Sequence, residues 1–345
     1  MIPATWPRDA PRRERLLHLD PAADRIEDLR LEQLPVRLRA GDLLVVNDAA
    51  TLPASLSGAT ARGESIEVRL AGRRLEAPDA EWTAVLFGAG DWTMRTEDRP
   101  APPRLEAGDV LSFGSDLRAV VRRVSPVSPR LLEVAFEPGA DAFWPALYRH
   151  ARPIQYSYLR GALALWHVQT GYAARPWAVE PPSAGRPLTW ELLDALRDRG
   201  IARATITHAA GLSSTGDPAI DARLPFPERF DVPSATVRAV SHARRSGGRV
   251  IAVGTTVVRA LESAAAQHRG RLRPHTGVTN LRIGPGFVPR VVDGLLTGMH
   301  EPDTSHFALL AAFAPAERLA AAHRHAEAEG YLCHEFGDSM LVARN

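Results

Sequence analysis

The sequence contains no lysine, so all 42 of its basic residues are arginines. This absence excludes enzymes that hold a substrate or pyridoxal phosphate as a lysine Schiff base. It also excludes a P-loop, whose lysine contacts the phosphates of a bound nucleotide. A coding sequence rich in guanine and cytosine is the ordinary cause of such a bias.

Cysteine is almost as scarce, because Cys333 is the single one. One cysteine excludes an internal disulfide and any cysteine-built zinc or iron–sulfur site within one chain, so Cys333 is interpreted as a small buried apolar residue. No apolar run is long enough to span a bilayer, and residues 1–3 show no signal-peptide pattern. We therefore expect a cytoplasmic protein without a membrane partner.

The balance of charges neither demands nor excludes a nucleic-acid partner. The formal net charge is +2 and the isoelectric point is about 9.0. Phosphate binding needs arginines clustered on one face, and a net charge this small does not reveal such a face.

The 345 residues exceed what one hydrophobic core usually organises, so two domains are expected. Helical and strand patterns alternate from about residue 187 onwards, and an apolar strand follows Gly41. Between them, short alternating runs separated by Gly, Pro and Asp are typical of antiparallel strands. The sequence therefore predicts an α/β fold, with a main α/β domain formed by both ends of the chain (1–56 and 150–345) and an inserted small antiparallel β domain (57–149).

Residues 249–263 read as a buried strand, a tight turn and a helix. Gly254 supplies the turn, and Thr255 or Thr256 is expected to cap the helix. The N-terminus of such a helix binds anions well, and ligands of open α/β sheets sit at the carboxyl ends of strands. An ordinary β–α turn is the competing interpretation.

Several blocks of the chain, taken in order, carry a family resemblance. Residues 254–262, Gly-Thr-Thr-Val-Val-Arg-Ala-Leu-Glu, resemble the Gly-Thr-Thr-Ser-Val-Arg-Thr-Leu-Glu segment of the S-adenosylmethionine:tRNA ribosyltransferase-isomerases of queuosine biosynthesis. Further blocks of that family are matched at residues 41–56, 169–173, 291–300 and 336–341. The chain is therefore identified as a divergent member of this superfamily.

The resemblance implies a reaction in which S-adenosylmethionine is a substrate. The family transfers the ribosyl portion to the aminomethyl group of a 7-deazaguanine base in a tRNA anticodon, rearranges it to an epoxycyclopentanediol, and releases adenine and methionine. This chemistry needs a base for the proton beside the sulfonium, help for the departing adenine, and an anchor for the methionine carboxylate. No metal is required.

The matched positions supply candidate site residues. The catalytic candidates are His208, Glu228 and His300. The candidates for binding S-adenosylmethionine are Asn47, Asp48, Gly254, Thr255, Thr256, Arg259 and Asp338.

Each candidate also has an ordinary structural interpretation. His208 is equally well a satisfied structural histidine, Asp338 a turn residue, and Arg259 a local partner of Glu262. Asp303 is interpreted as a cap of the helix after His300.

Four aromatic residues are candidates either for stacking on adenine or for core packing: Tyr156, Tyr158, Trp166 and Trp177.

The departures from the family pattern concern the acceptor. Pro187 replaces a motif histidine, the glycine-rich loop after His208 is altered, and Phe226 replaces the histidine of a His-x-Glu segment. Asp303 replaces a lysine, and residues 82–94 lack the family's basic tract. These losses weaken the case for tRNA as the acceptor.

The alternatives are a paralogue that uses a small-molecule acceptor or cleaves S-adenosylmethionine without tRNA, and a non-catalytic cofactor- or RNA-binding protein. The oligomeric state is left open.

Overall fold

The computed structural model describes residues 1–73, 80–302 and 304–343. In chain order the strands are β1 (Ile2–Pro3), β2 (Arg15–Asp20), β3 (Arg25–Arg30), β4 (Leu43–Asn47), β5 (Ala49–Thr51), β6 (Ser55–Thr60), β7 (Ser65–Arg73), β8 (Glu81–Phe87), β9 (Val110–Phe113), β10 (Leu117–Val124), β11 (Leu131–Glu137), β12 (Ala151–Arg152), β13 (Arg175–Ala178), β14 (Ala202–His208), β15 (Glu228–Val232), β16 (Val250–Val253), β17 (His275–Thr279), β18 (Gly294–Gly298), β19 (Leu332–Cys333) and β20 (Ser339–Ala343).

The α-helices are α1 (Leu34–Arg37), α2 (Phe143–His150), α3 (Trp190–Asp198), α4 (Pro218–Asp221), α5 (Ser234–Arg245), α6 (Thr255–Gln267), α7 (Ser305–Leu310) and α8 (Ala316–Ala328). Short 3-10 helices cover Pro11–Arg13, Leu31–Gln33, Thr96–Asp98, Ala140–Ala142, Leu165–Val168 and Ser183–Gly185. The α/β class predicted from the sequence is confirmed.

The larger sheet is mixed, with the strand order β17-β15-β14-β4-β16-β18-β20-β2-β3. Its centre is parallel, because β4 pairs in parallel with β14 and β16, and β16 pairs in parallel with β18. On the two sides, β15 and β20 run antiparallel to β14 and β18. The ends of the parallel strands and the starts of β15 and β20 therefore meet at one edge of the sheet.

The central strands are apolar because helices cover both faces of the sheet. Every residue of β4 and of β16 is buried. Leu43 and Val45 pack into one core with α5, α6 and α8, whereas Leu44 and Val46 pack on the opposite face against α3. A continuous apolar run is what a parallel strand buried on two faces requires.

The antiparallel strands form a second sheet with the order β12-β6-β7-β8-β11-β10-β9. An additional pairing of β6 with β9 closes six of these strands into a barrel. The aromatic side chains of Trp82, Phe113, Phe136 and Phe143 contact one another in its core. In the part of the chain that the structure describes, no helix is long and apolar enough to cross a membrane.

Candidate active site

Asn47 ties three elements together where the parallel strands end. Its side-chain oxygen accepts hydrogen bonds from the backbone N–H groups of His208, at 2.9 Å, and Ala49, at 3.1 Å. Its amide nitrogen donates to the carbonyl oxygen of His208 at 3.0 Å and to the hydroxyl of Thr256 at 3.4 Å. This buried amide therefore fixes how β4, β14 and α6 meet.

The turn between β16 and α6 depends on Gly254, whose φ is +89° and ψ is +153°. Residues other than glycine rarely adopt this conformation. The helix starts directly afterwards, at Thr255, and no side chain among the described residues caps its N-terminus. The predicted cap by Thr255 or Thr256 is therefore wrong, because both residues already lie in the first turn. The N-terminus of this 13-residue helix keeps the uncapped N–H groups that suit an anion.

His208, Glu228 and Arg259 form a buried cluster, which we call the His208 group. Glu228 forms an ion pair with Arg259 through Oε2 and accepts a hydrogen bond from the backbone N–H of Gly211 at 2.6 Å through Oε1. The Nε2 atom of His208 lies 3.5 Å from Oε2 of Glu228. Among the residues that the structure describes, neither ring nitrogen of His208 has a hydrogen-bond partner. An enclosed imidazole of this kind is prepared to bind or to exchange a proton.

The electrostatics of the His208 group keep the histidine neutral. Burial, with the positive charge of Arg259, holds the pKa of His208 well below its usual range. Burial raises the pKa of Glu228, while Arg259 and the N–H of Gly211 act against that rise. The cluster thus combines a neutral imidazole, a carboxyl group and a permanent cation in a buried position.

Arg259 does not use the local partner that the sequence offers. Its Nε donates to the carbonyl of Leu281 at 2.9 Å, and its Nη1 contacts Glu228. Glu262 instead accepts hydrogen bonds from three backbone N–H groups, those of residues 290, 291 and 292. The interpretation of Glu262 as the partner of Arg259 is therefore wrong, because tertiary contacts engage both side chains.

His300 lies after β18 and stacks on a second histidine. Its ring and that of His306 are 5.0 Å apart with an interplanar angle of 15°. Its Nε2 is 2.7 Å from the hydroxyl of Thr297. Burial holds the pKa of His300 well below its usual range, and burial with the nearby Arg259 lowers that of His306. The charge of Arg259 thus acts both on His306 of this pair and on His208.

The helix after His300 begins with a capping threonine. The hydroxyl of Thr304 accepts a hydrogen bond from the backbone N–H of Phe307 at 3.2 Å. Asp303, which the sequence suggested as the cap, lies outside the described residues.

Asp48 and Asp338 lie at the same edge with different partners. Asp48 accepts a hydrogen bond from the hydroxyl of Thr207, and burial raises its pKa. Asp338 is buried and accepts from Nη2 of Arg8 at 2.6 Å and from the backbone N–H groups of Arg15 and Leu332 at 3.0 and 2.8 Å. Asp338 therefore joins the start of the chain to the loop before β20.

The aromatic candidates have different surroundings. The rings of Tyr156 and Tyr158 stack 6.1 Å apart, and Tyr158 stacks on His334 at 4.6 Å. Tyr156 donates a hydrogen bond to Glu180, whose pKa burial raises to about 7. Trp166 is 76% exposed, which leaves it outside any enclosed site.

Trp177 lines a pocket between the barrel and the mixed sheet, which we call the Trp pocket. The space is about 610 Å³, including its open mouth. Residues from β7, β8, α2, β13 and the ends of β14 and β15 form its walls. They include Arg73, Trp82, Trp144, Trp177, Glu228 and Arg229. The Trp pocket therefore reaches the His208 group through Glu228.

Comparison with known proteins places this geometry in a family. The family model described as "Queuosine biosynthesis protein" matches residues 2–342. The chain belongs to the queuosine biosynthesis protein family. The resemblance inferred from the sequence is confirmed.

The queuosine family includes relatives that align with almost all of the chain. The S-adenosylmethionine:tRNA ribosyltransferase-isomerase of Acidithiobacillus ferrooxidans is 37% identical over 95% of this chain and 91% of its own length. The protein with this name from Gluconacetobacter diazotrophicus is 38% identical over 98% of this chain and 91% of its own. The crystal structure of S-adenosylmethionine tRNA ribosyltransferase from Thermotoga maritima is similar with a TM-score of 0.53 and 27% identity, covering 99% of this chain and 96% of that one.

Several polar residues at the site of this queuosine family member escaped the sequence analysis. His306 is one of them, although its position six residues after His300 was the available signal. A second set involves Glu14, which contacts the hydroxyl of Ser339 at 2.7 Å and lies 3.4 Å from Nη2 of Arg186. Burial raises the pKa of Glu14 to about 7. No local pattern links these residues, since 172 positions separate Glu14 from Arg186.

The described residues contain no group of three or more His, Cys, Asp or Glu side chains arranged to hold a metal ion. The polar groups of the site are imidazoles, carboxyl groups, guanidinium groups and backbone N–H groups, which suit proton transfer and anion binding.

Proposed function

We propose that this enzyme transfers and isomerises the ribosyl portion of S-adenosylmethionine, releasing adenine and methionine, with tRNA carrying an aminomethyl-deazaguanine as the acceptor. The observation that carries the proposal is the buried His208 group at the carboxyl edge of the sheet, in a chain 37% identical to a named ribosyltransferase-isomerase over 95% of its length. A tRNA substrate also favours a cytoplasmic location.

His208 and Glu228 carry the proton transfer in this proposal. The neutral imidazole accepts the proton beside the sulfonium, and the carboxyl group 3.5 Å away stabilises the imidazolium that forms. Arg259 holds Glu228 in place through their ion pair. His300, stacked on His306, hydrogen-bonds the departing adenine.

The remaining residues bind the rest of S-adenosylmethionine. The backbone N–H groups of Thr255 and Thr256 bind its methionine carboxylate at the uncapped start of α6. Gly254, whose own N–H donates to the carbonyl of Leu296 at 2.8 Å, supplies the turn that presents them. Asp48 accepts a ribose hydroxyl, and Asn47 positions His208 and Thr256. Asp338 shapes the loop beside Met299, whose N–H donates to the Asp338 carbonyl at 2.9 Å.

We also propose that the two sheets belong to two domains, 1–56 with 150–345 and 57–149. The antiparallel sheet runs from Ser55 to Arg152, close to the predicted boundaries, and its core is separate from those of the mixed sheet.

The test is to incubate the purified protein with S-adenosylmethionine, with and without tRNA carrying the aminomethyl-deazaguanine, and to follow adenine and methionine by chromatography. We expect release only with the modified tRNA. Release without tRNA would instead assign a small-molecule or lyase activity. Tight binding of S-adenosylmethionine with no release under either condition would contradict the enzymatic proposal.

A further inference from the structure

We propose that the Trp pocket binds one extruded nucleotide of an RNA acceptor, with the base between the tryptophans and its phosphate at the arginines. This inference rests on the proposed function and names the place where the acceptor enters the site.

The lining of the Trp pocket suits a flat heteroaromatic ring. Trp82, Trp144 and Trp177 come from β8, α2 and β13, so three indoles from separate segments converge on one space. Trp82 and Trp144 are arranged edge to face, with centroids 6.5 Å apart. Proteins bind unpaired bases by stacking them on aromatic side chains, and enzymes that modify a base take it out of the stack into a pocket.

A polar group in the wall provides a contact for the edge of a base. The indole N–H of Trp82 is buried and has no acceptor among the described residues. A buried indole N–H normally finds an acceptor. Ring nitrogens and carbonyl oxygens of a base are acceptors of the required kind, whereas a purely apolar ligand would leave this donor unsatisfied.

The charges favour a nucleotide over S-adenosylmethionine. The guanidinium of Arg229 lies 3.9 Å from the ring centroid of Trp177. Burial, with the positive charge of Arg229, lowers the pKa of Arg73, so the two cations act on one another across the pocket. A phosphate is attracted to such a pair, and S-adenosylmethionine carries no phosphate.

The position of Glu228 connects the Trp pocket to the chemistry. Glu228 lines the Trp pocket and also belongs to the His208 group. A base held between the tryptophans therefore lies beside the proposed acid–base residues. Its cationic aminomethyl group would be drawn towards this carboxyl group.

The experiment compares Trp177→Ala with Trp177→Phe, and uses Trp166→Ala as the matched control because Trp166 is exposed outside the pocket. Fluorescence anisotropy measures the affinity of each protein for an anticodon stem–loop that carries the aminomethyl-deazaguanine. Calorimetry measures the affinity for S-adenosylmethionine alone, and circular dichroism checks the fold.

We expect Trp177→Ala to weaken stem–loop binding by about tenfold or more, as loss of one stacking platform does, with affinity for S-adenosylmethionine unchanged. Trp177→Phe should restore most of the binding, and Trp166→Ala should match the wild type.

Wild-type stem–loop affinity in Trp177→Ala, with turnover on tRNA intact, would overturn the pocket assignment and leave the proposed function standing. Weakened binding of S-adenosylmethionine would also overturn it, by assigning the pocket to adenine. Failure of the wild type to bind the stem–loop would overturn both proposals.

Discussion

His208 combines full burial with two ring nitrogens that lack partners within the described residues. Buried polar groups are nearly always hydrogen-bonded, and in the proposed function a substrate supplies the contact that this imidazole lacks. The low pKa of the ring leaves it uncharged near pH 7 and able to accept a proton. In the proposed reaction, the carboxyl group of Glu228, 3.5 Å from Nε2, supports the imidazolium that forms.

Replacing His208 by Ala should reduce adenine release by about 100-fold or more, which is the usual contribution of a general base. Affinity for S-adenosylmethionine should change far less, because binding also uses the start of α6. Single-turnover adenine release and calorimetry measure the two effects. His242→Ala, at an exposed position in α5, is the control. A wild-type rate in His208→Ala would remove this residue from the proton transfer.

Glu14 makes stability depend on pH. Burial raises its pKa from 4.5 to about 7, so the folded protein holds a proton that the unfolded chain releases. The stabilisation is therefore complete below pH 4.5 and is lost as the pH rises to about 7. A shift of this size corresponds to about 3 kcal/mol, at about 1.4 kcal/mol for each pKa unit.

Glu14→Gln should remove this dependence. Relative to the wild type, its free energy of unfolding should rise by about 3 kcal/mol between pH 4 and pH 8, since the amide never becomes charged. Urea denaturation at several pH values measures the difference, with the exposed Glu32→Gln as the control. Parallel pH profiles for Glu14→Gln and the wild type would show that Glu14 does not titrate in this range.

The strand, turn and helix around Gly254 were predictable because their signals are contiguous. An apolar β-branched run, one glycine and a helical run predict β16 and α6 without knowledge of distant residues. The cap was wrong because a tight turn at positive φ starts the helix one residue after Gly254. Local patterns therefore gave the elements, while their joining geometry depended on backbone angles that sequence spacing does not define.

Gly254→Ala should lower the free energy of unfolding by about 1–3 kcal/mol, because its backbone angles strain any residue with a Cβ atom. Affinity for S-adenosylmethionine should fall as well, since the start of α6 must move. Denaturation and calorimetry test the two expectations. Gly284→Ala is the control, because its Cβ would meet no atom within 4 Å and its φ is ordinary. Wild-type affinity in Gly254→Ala would separate this turn from substrate binding.

The meeting of His208, Glu228 and Arg259 was less predictable. The family motifs indicated each of these three residues separately. The contacts among them arise because β15 runs antiparallel to β14 and α6 packs across both strands. His306 lies on a separate helix, α7, and the residues that line the Trp pocket come from several segments of both sheets. Such encounters depend on topology, which hydrophobic periodicity along the chain does not encode.

Arginine placement should determine how the protein responds to salt when it binds tRNA. The net charge is only +2, so affinity must come from local groups such as Arg229. Neutralising one phosphate contact should lower the slope of log affinity against log salt by about one. We expect this for Arg229→Gln but not for Arg324→Gln, which alters an exposed residue of α8. Anisotropy titrations at several salt concentrations measure the slopes. Equal slopes would exclude Arg229 from phosphate contact.

The strand order of the mixed sheet determines when it can be completed during synthesis. β2 near the start of the chain pairs with β20 at its end, and central β4 lies between β14 and β16. The strands of the barrel, in contrast, find all their hydrogen-bonded neighbours between Ser55 and Arg152. During synthesis on the ribosome, the barrel can therefore pair its strands while β4 is still unpaired. The mixed sheet is complete only after β20 has emerged.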